Sequence, residues 1–406
     1  AARNGRKTLI VESGTMLGGE LLSGMSLDGV LNARGEYVVG GISDELLAEC
    51  KKMDGFLGPI HDQRLICYVC VDPEIMKIAV MRVLERHGVT PWLQTFAEDV
   101  VVRDGAVTGL VVVNKSGRTI VSADHFIDCS GDGDLAAWAG ARYEKGDGAG
   151  HMLYPSTMFR INGVDPQRAG KAWETIPGLM AQAEAAGRWR FPRKGAIVRP
   201  QKSGIEWRVN LTQLANANGD AMDGTDALEL SAAEILGRRQ IASVAGFLKE
   251  VPGFEASYIV DIAPQVGIRE TRRVHGHYML TERDVLDCAS FDDTVGVNGW
   301  PLELHLKGDV EFRWPEIPES RGFNHLPYRM VVPVGFDNLW VAGRCASMTH
   351  EAQSAARVTG ACFVMGQAAG AAADLALEAG CTASDVNVAA LQARLEAGGA
   401  YLGRNW

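Results

Sequence analysis

The sequence of 406 residues has no surplus of positive charge: 40 Lys and Arg stand against 50 Asp and Glu, a formal charge of -10. That balance argues against a nucleic-acid surface, which is normally basic. No basic segment followed by an apolar one opens the chain, so export is not expected. Long apolar runs are absent too. The uncharged stretch between Arg357 and Asp374 is built largely of Gly and Ala, whereas a membrane span takes roughly twenty mostly large apolar residues. There is no internal repeat and no low-complexity tract. Cysteine is sparse: the 8 residues are scattered and mostly flanked by apolar neighbours, the pattern of reduced thiols in a cytoplasmic protein. One pair, Cys67 and Cys70, has CxxC spacing, but it lies in a strand-like run (65–71) that would send the two thiols to opposite faces. With no second pair to complete a zinc site, no metal is expected.

What is present is ordinary for a globular chain, 47% hydrophobic and 22% charged, and the length suggests two or three domains with a large core. The chain looks organised around the stretch from Asp337 to Gly370, which reads as strand, turn and helix. Leu339 to Ala342 form a short apolar run, and Gly343 ends it where a backbone can approach a ligand closely. Gly360, Ala361, Gly366, Ala368, Ala369 and Gly370 keep the helix surface small, so something packs tightly against it. Its N-terminus, with unpaired N–H groups, can hold a negatively polarised oxygen. A buried helix packed on a sheet would show the same small residues.

At the start of the chain, Ala1 to Gly5 read as the last turn of a helix stopped by glycine, and Thr8 to Val11 as a buried strand ending in Glu12. That order matches the second half of a dinucleotide-binding βαβ unit, in which an acidic residue ends the second strand. The glycine-rich phosphate turn would lie about twenty residues before Glu12. Since the sequence does not contain it, either the chain is shortened or the βαβ reading fails. The segment 13–24, rich in Gly and Ser, can line a ligand or be a plain loop. Asp72-Pro73-Glu74 predicts a capped helix with Met76, Val80, Val83 and Leu84 on one face, closed by Gly88. Turns at Asp104-Gly105 and Ser116-Gly117 predict a three-stranded meander. Phe126 to Asp128 then enter the turn Cys129-Ser130-Gly131-Asp132-Gly133-Asp134, which would present N–H groups and carboxylates at a strand's carboxyl end. Its Asp-x-Gly-Asp pattern lacks the spacing and terminal Glu of an EF-hand loop. From about 150 to 325 the character changes, with short strands, loops rich in Arg, Pro and Trp, and a long helix over 226–250.

Taken in order, Leu-Ile-Val-Glu (9–12), Leu-Gly-Gly (17–19), Val-Asp-Pro-Glu (71–74), Ile-Asp-Cys-Ser-Gly-Asp-Gly-Asp-Leu-Ala (127–136), Gly-Ile-Arg-Glu-Thr-Arg-Arg (267–273), Pro-Leu-Glu-Leu-His (301–305), Pro-Tyr-Arg (327–329), Asn-Leu-Trp-Val-Ala-Gly-Arg (338–344) and Gly-Gln-Ala-Ala-Gly (366–370) carry a resemblance nearly end to end. The chain resembles the FAD-dependent oxidoreductases of the glutathione-reductase-like, two-dinucleotide-binding superfamily, related to fumarate reductase and succinate dehydrogenase flavoproteins. The resemblance implies an α/β fold: a Rossmann-like FAD-binding domain with a β-meander, in two parts (1–148, without its N-terminal strand and phosphate loop, and 326–406), and an inserted α+β substrate domain (149–325). It implies noncovalent FAD. Glu12 would hold the adenosine ribose, and Gly18 and Gly19 would pass near the flavin or pyrophosphate. Gly131, Asp132, Gly133 and Asp134 would run along the dinucleotide, and Gly343 and Arg344 would approach its ribityl-pyrophosphate part. Val358, Gly360 and Ala361 would face the flavin pyrimidine edge. Relatives with covalent flavin use a histidine soon after the second strand, and none occurs here between Glu12 and His61.

A flavin dehydrogenase needs a group to move the proton that accompanies hydride transfer. His305 and His350 are the candidates, since histidine titrates near neutrality; either could instead be an interior, hydrogen-bonded histidine. Arg269, Arg272 and Arg329 could clamp an anionic group on a small polar substrate, or Arg272 or Arg273 could pair with Glu270 or Glu282 in a structural network. The expected function is a dehydrogenase or reductase. A subunit with a structural or electron-relay role, with or without its flavin, and a flavin monooxygenase are the alternatives. The electron acceptor is open, no membrane span or nucleic-acid partner is expected, and the Trp and Arg of the inserted domain permit a homo-oligomer.

Overall fold

The computed structural model describes residues 1–61, 67–316 and 319–405. Two pairs of parallel strands occupy the positions expected of the first and second parts of the α/β domain. Leu9–Val11 pairs with Thr90–Trp92, and Phe126–Asp128 pairs with Leu339–Val341 in the register Leu339 to Phe126 and Val341 to Asp128. Leu339, Trp340 and Val341 are fully buried, which explains why the run is apolar on both faces. The meander forms from Phe96–Arg103, Ala106–Asn114 and Gly117–Val121, and Asp104 and Gly105 both take positive φ (48° and 81°), as a tight hairpin turn of this type requires. The helix Pro73–Arg86 begins where the Asp72 carboxylate accepts from the N–H groups of Glu74 and Ile75, and it buries Met76, Val80 and Val83.

The stretch around Gly343 to Gly370 adds a short helix before the one expected to start at Val358. It forms two, His350–Ala356 and Thr359–Ala379, broken at an extended Val358 (φ -72°, ψ 165°). The longer one packs against the strand Thr294–Asn298 and the outer helix Val388–Ala397. Thr359–Ala379 is long and apolar enough to cross a membrane by length and composition, yet most of it lies within the core. Leu65 and Ile66 of the predicted CxxC strand lie outside the described residues; in the strand Cys67–Val71, Cys67 joins the large core while Cys70 packs on the other face with Tyr68 and Trp300.

Residues 159–262 build a second core of their own. A four-stranded antiparallel sheet runs in the order Ile197–Pro200, Trp207–Asn210, Phe159–Asn162 and Tyr258–Ile262, and the helices Ala172–Ala185 and Ala227–Leu248 join it around Phe159, Trp207, Phe247 and Phe254. Val274, Val295, Val297, Leu302 and Phe323 pack instead into the large core, although they fall within the segment 149–325. Arg160 links the two parts. Buried in its strand, it makes ion pairs with Glu206 (2.7 Å) and Asp261 (3.1 Å) of the second part and with Glu74 (2.6 Å) of the helix Pro73–Arg86. Arg160→Met leaves three carboxylates facing one another. Because all three reach solvent, the expected loss is about 2 kcal/mol, below what breaking a fully buried pair costs. Urea unfolding checks it, and an unchanged midpoint would show that the two parts are held together otherwise.

Candidate functional site

The carboxylate of Asp128, at the end of its strand, accepts from the N–H groups of Ser130 (3.0 Å) and Ala136 (3.0 Å) and from the Ser130 hydroxyl (2.7 Å). These bonds fix the turn in which Gly131 and Gly133 take left-handed φ (78° and 65°). The neighbouring strand ends at Gly343, also at positive φ, and sends Arg344 back across this turn: its Nη2 lies 2.5 Å from Asp132 Oδ1. A side chain at Gly131 would collide with that guanidinium. Thr271 donates to Asp132 (2.7 Å), and Arg272 donates to Asp134 (2.6 Å) and to the Asp132 carbonyl (3.1 Å). Arg272 is therefore engaged at the acidic turn, and Arg273 is the arginine that pairs with Glu270.

Buried donors and acceptors without partners accumulate here. Among the described residues, Nε of Arg272, Arg344 and Arg357 and Oε1 of Gln353 have no hydrogen bond. Gln353 itself is held by Nε2 bonds to the carbonyls of Arg269 (2.9 Å) and Arg344 (3.3 Å). The helix Thr359–Ala379 follows, with no side chain capping its N-terminus. Leaving such groups unpaired costs about 1–3 kcal/mol each, so the arginine donors fit a ligand rich in acceptor oxygens, while Gln353 Oε1 calls for a donor on it. Of the other predicted contacts, Glu12 is folded back onto the N–H of Gly14 (2.6 Å), and Gly18 and Gly19 open the short turn Gly19–Leu22 at positive φ.

A second group of side chains adjoins this one. In the strand Leu302–Leu306, Glu303 and His305 sit two residues apart and face the same way, and the His305 Nε2–H donates to Glu303 Oε1 (2.9 Å). Trp300 Nε1–H donates to the other carboxylate oxygen (2.8 Å), and Arg193 reaches His305 Nδ1 (3.4 Å). Burial and the Arg269 charge hold the His305 pKa well below its ordinary value. The imidazole is thus neutral, with both ring nitrogens engaged, and does not titrate near neutrality as its residue type alone suggests. Burial would raise the Glu303 carboxyl, but the His305 hydrogen bond, the Arg357 charge and the Trp300 N–H hold it below the usual carboxylate range. Asp28 behaves oppositely: burial and then the Glu303 charge push it up to about 7, against the Ser26 hydroxyl (2.5 Å) and the charges of Arg208 and Arg357.

His350 opens its helix one turn before Gln353, and its Nδ1 lies 2.8 Å from Glu270, which also accepts the Leu153 N–H (2.8 Å) and pairs with Arg273. Arg329 stands apart from Arg269. It is exposed at the surface, bonded to Asp293 (2.9 Å) and lying over the Tyr278 ring, because Asp293 offers a direct partner there. Asp28, Arg193, Glu303, Gln353 and Arg357 escaped sequence reasoning; only Glu303 had a local signal, its period-two spacing from His305. A surface cavity of about 380 Å³ beside Arg321 and His325 shares no lining residue with this site.

The sequence model described as FAD-dependent oxidoreductase matches residues 1–395. The chain belongs to that family. Its cofactor is FAD, and the flavoprotein is an enzyme of the oxidoreductase class. Among solved structures it is similar to a geranylgeranyl bacteriochlorophyll reductase-like protein from Thermoplasma acidophilum, at 13% identity and TM-score 0.45 over 98% of this chain and 77% of that one. It is also similar to the chondrochloren halogenase of a myxobacterium (12%, TM-score 0.44, over 97% and 74%) and to p-nitrophenol 4-monooxygenase from Pseudomonas putida (10%, TM-score 0.40, over 98% and 76%). No curated protein matches the flavoprotein's sequence.

Proposed function

We propose that this flavoprotein is a dehydrogenase or reductase that moves a hydride between a small polar, anionic molecule and noncovalently bound FAD. The observation that carries the reading is the continuity of two groups of residues: the partnerless donors at Arg344 and Arg357 run directly into the Glu303–His305 pair through Gln353 and Arg269. In this reading Gly131 to Asp134, Gly343 and Arg344 hold the middle of the dinucleotide. Val358, Gly360 and Ala361 meet the flavin carbonyl edge, Glu12 takes the adenosine ribose, and Gly18 and Gly19 line the same path. FAD when bound supplies the two-electron partner for hydride exchange.

The chain's own residues then orient the second reactant and handle its proton. Glu303 stays ionised and fixes the His305 tautomer, which in turn positions the Arg193 guanidinium. Asp28, with its pKa near neutrality, is the carboxyl in the site able to keep or release a proton at working pH. The free thiols among the described residues suit a reducing compartment such as the cytoplasm. The test is an anaerobic screen of the FAD-loaded protein against small carboxylic acids. Bleaching of the flavin band without oxygen supports the reading. Product formation only with oxygen, with labelled oxygen entering the product, would make the protein a monooxygenase instead.

A further inference from the structure

We propose that Arg193, Arg269 and Arg357 together form the subsite that takes a carboxylate of the substrate. The inference rests on the oxidoreductase reading and deepens it. The three arginines come from distant parts of the chain and meet around one short strand. Arg193 contacts His305 Nδ1 (3.4 Å), and Arg357 Nη2 lies 3.5 Å from the Glu303 carbonyl. Arg269 donates to the Tyr154 carbonyl (2.7 Å), and the Tyr154 N–H donates to the His305 carbonyl (3.0 Å).

None of the three makes a direct ion pair among the described residues. The nearest carboxylate, Glu303, is occupied by His305 and Trp300. Arg193 uses two nitrogens on His305 and the Asn210 carbonyl (2.6 Å) and leaves a buried Nε without a partner; Arg357 likewise has a buried Nε without one. Arg269, itself buried, spends a single N–H on Tyr154. Three guanidinium groups beside one committed carboxylate leave a net positive charge where water is scarce, an arrangement that is unfavourable unless an anion completes it. The other charges nearby do not complete it: Arg208 is a further cation, Asp28 is largely protonated below neutrality, and Glu20 and Asp309, the latter acting on Arg193, are both exposed. Burial, and to a lesser extent the charges of Arg357 and Arg193, bring Arg269 down to about 9. Guanidinium forks match the planar oxygens of a carboxylate, and substrate oxidation or reduction beside such a clamp needs the anion held in a fixed orientation.

A phosphate oxygen of the cofactor is chemically similar, so the experiment separates the two sources. Oxalate, malonate and inorganic phosphate are titrated into the full-length protein, FAD-loaded and FAD-free, at low salt, with calorimetry and the flavin difference spectrum as readouts. The expected result is carboxylate binding to the FAD-loaded protein that weakens with salt and falls about 10- to 100-fold in Arg269→Gln and Arg193→Gln, with FAD content unchanged. Arg269→Lys, which keeps the charge and loses the fork, should fall between, and it serves if the glutamine variants do not fold. Three results would overturn the subsite: no carboxylate binding, equal binding in all variants, or anion binding to the FAD-free protein alone, which would assign the cluster to cofactor phosphate. Carboxylates that bind while no compound bleaches the flavin would leave the subsite standing and remove the dehydrogenase reading. Bleaching by a neutral molecule without carboxylate binding would do the reverse.

Discussion

Gly360→Val should lower the stability of the flavoprotein by about 3 kcal/mol and strip most of its FAD, the upper end of what overpacking a tight contact costs. Gly360 lies in the first turn of the helix Thr359–Ala379, and a Cβ there would overlap the Gly29 carbonyl group and stand 2.8 Å from the Val30 nitrogen. These are backbone atoms and cannot swing aside. The contact is reciprocal: Gly29 sits at φ 76°, and a Cβ on it would lie 2.7 Å from Val358 Cγ2. Any added bulk therefore lifts the helix N-terminus, and with it the N–H groups that face the flavin in the proposed site, away from the strand end that carries Asp28. Gly366, two turns along, is the internal control, since a Cβ there meets nothing within 4 Å. Gly366→Ala should be neutral or stabilise by about 0.5 kcal/mol through reduced freedom of the unfolded chain. Thermal unfolding and FAD per chain, measured on both variants, decide it. Equal stability of the two would mean that the Gly29 contact does not hold the helix.

Asp28→Asn should flatten the dependence of stability on pH. The folded-state pKa of Asp28 is raised from 3.8 to about 7, so between these values the folded protein binds the proton that the unfolded chain has released. Stability contributed by that proton is complete below about pH 4 and is lost as pH rises to about 7, a span worth roughly 4 kcal/mol. Asparagine cannot ionise. Relative to the wild type, the variant should gain stability from about pH 4 to about pH 7, level off above that, and differ least at the acid end. Urea midpoints of the FAD-loaded protein across that range test the sign. A constant offset would show that Asp28 is ionised in the folded state throughout, with Arg208 or Arg357 as its full partner.

Much of the scaffold was legible because its signals are local. The meander turns where Asp104 and Gly105 accept positive φ, Asp72 caps its helix with its own carboxylate, and the strands at Phe126 and Leu339 are short apolar runs ended by glycine turns. The short helix His350–Ala356 has no such signal, and Arg357 and Val358 after it meet the Glu303 carbonyl and Gly29, both far away in sequence. The same distance hides the return of Val274 to Phe323 to the large core, where composition does not change. In the site, the turn from Gly131 to Asp134 announces itself by its glycines, whereas Asp28 and Arg193 gain their chemistry only from burial beside Glu303 and His305. Arg329 looked equivalent to Arg269, but Asp293 holds it at the surface.

The most direct measurement is the rate of anaerobic flavin bleaching by the carboxylic acid that the screen identifies, compared with the same acid carrying deuterium at the reacting carbon. Direct hydride transfer beside the arginine cluster predicts slower bleaching with the deuterated acid and loss of the label from that carbon. Equal rates with the label retained on that carbon, or no anaerobic bleaching by any acid of the screen, would contradict the account.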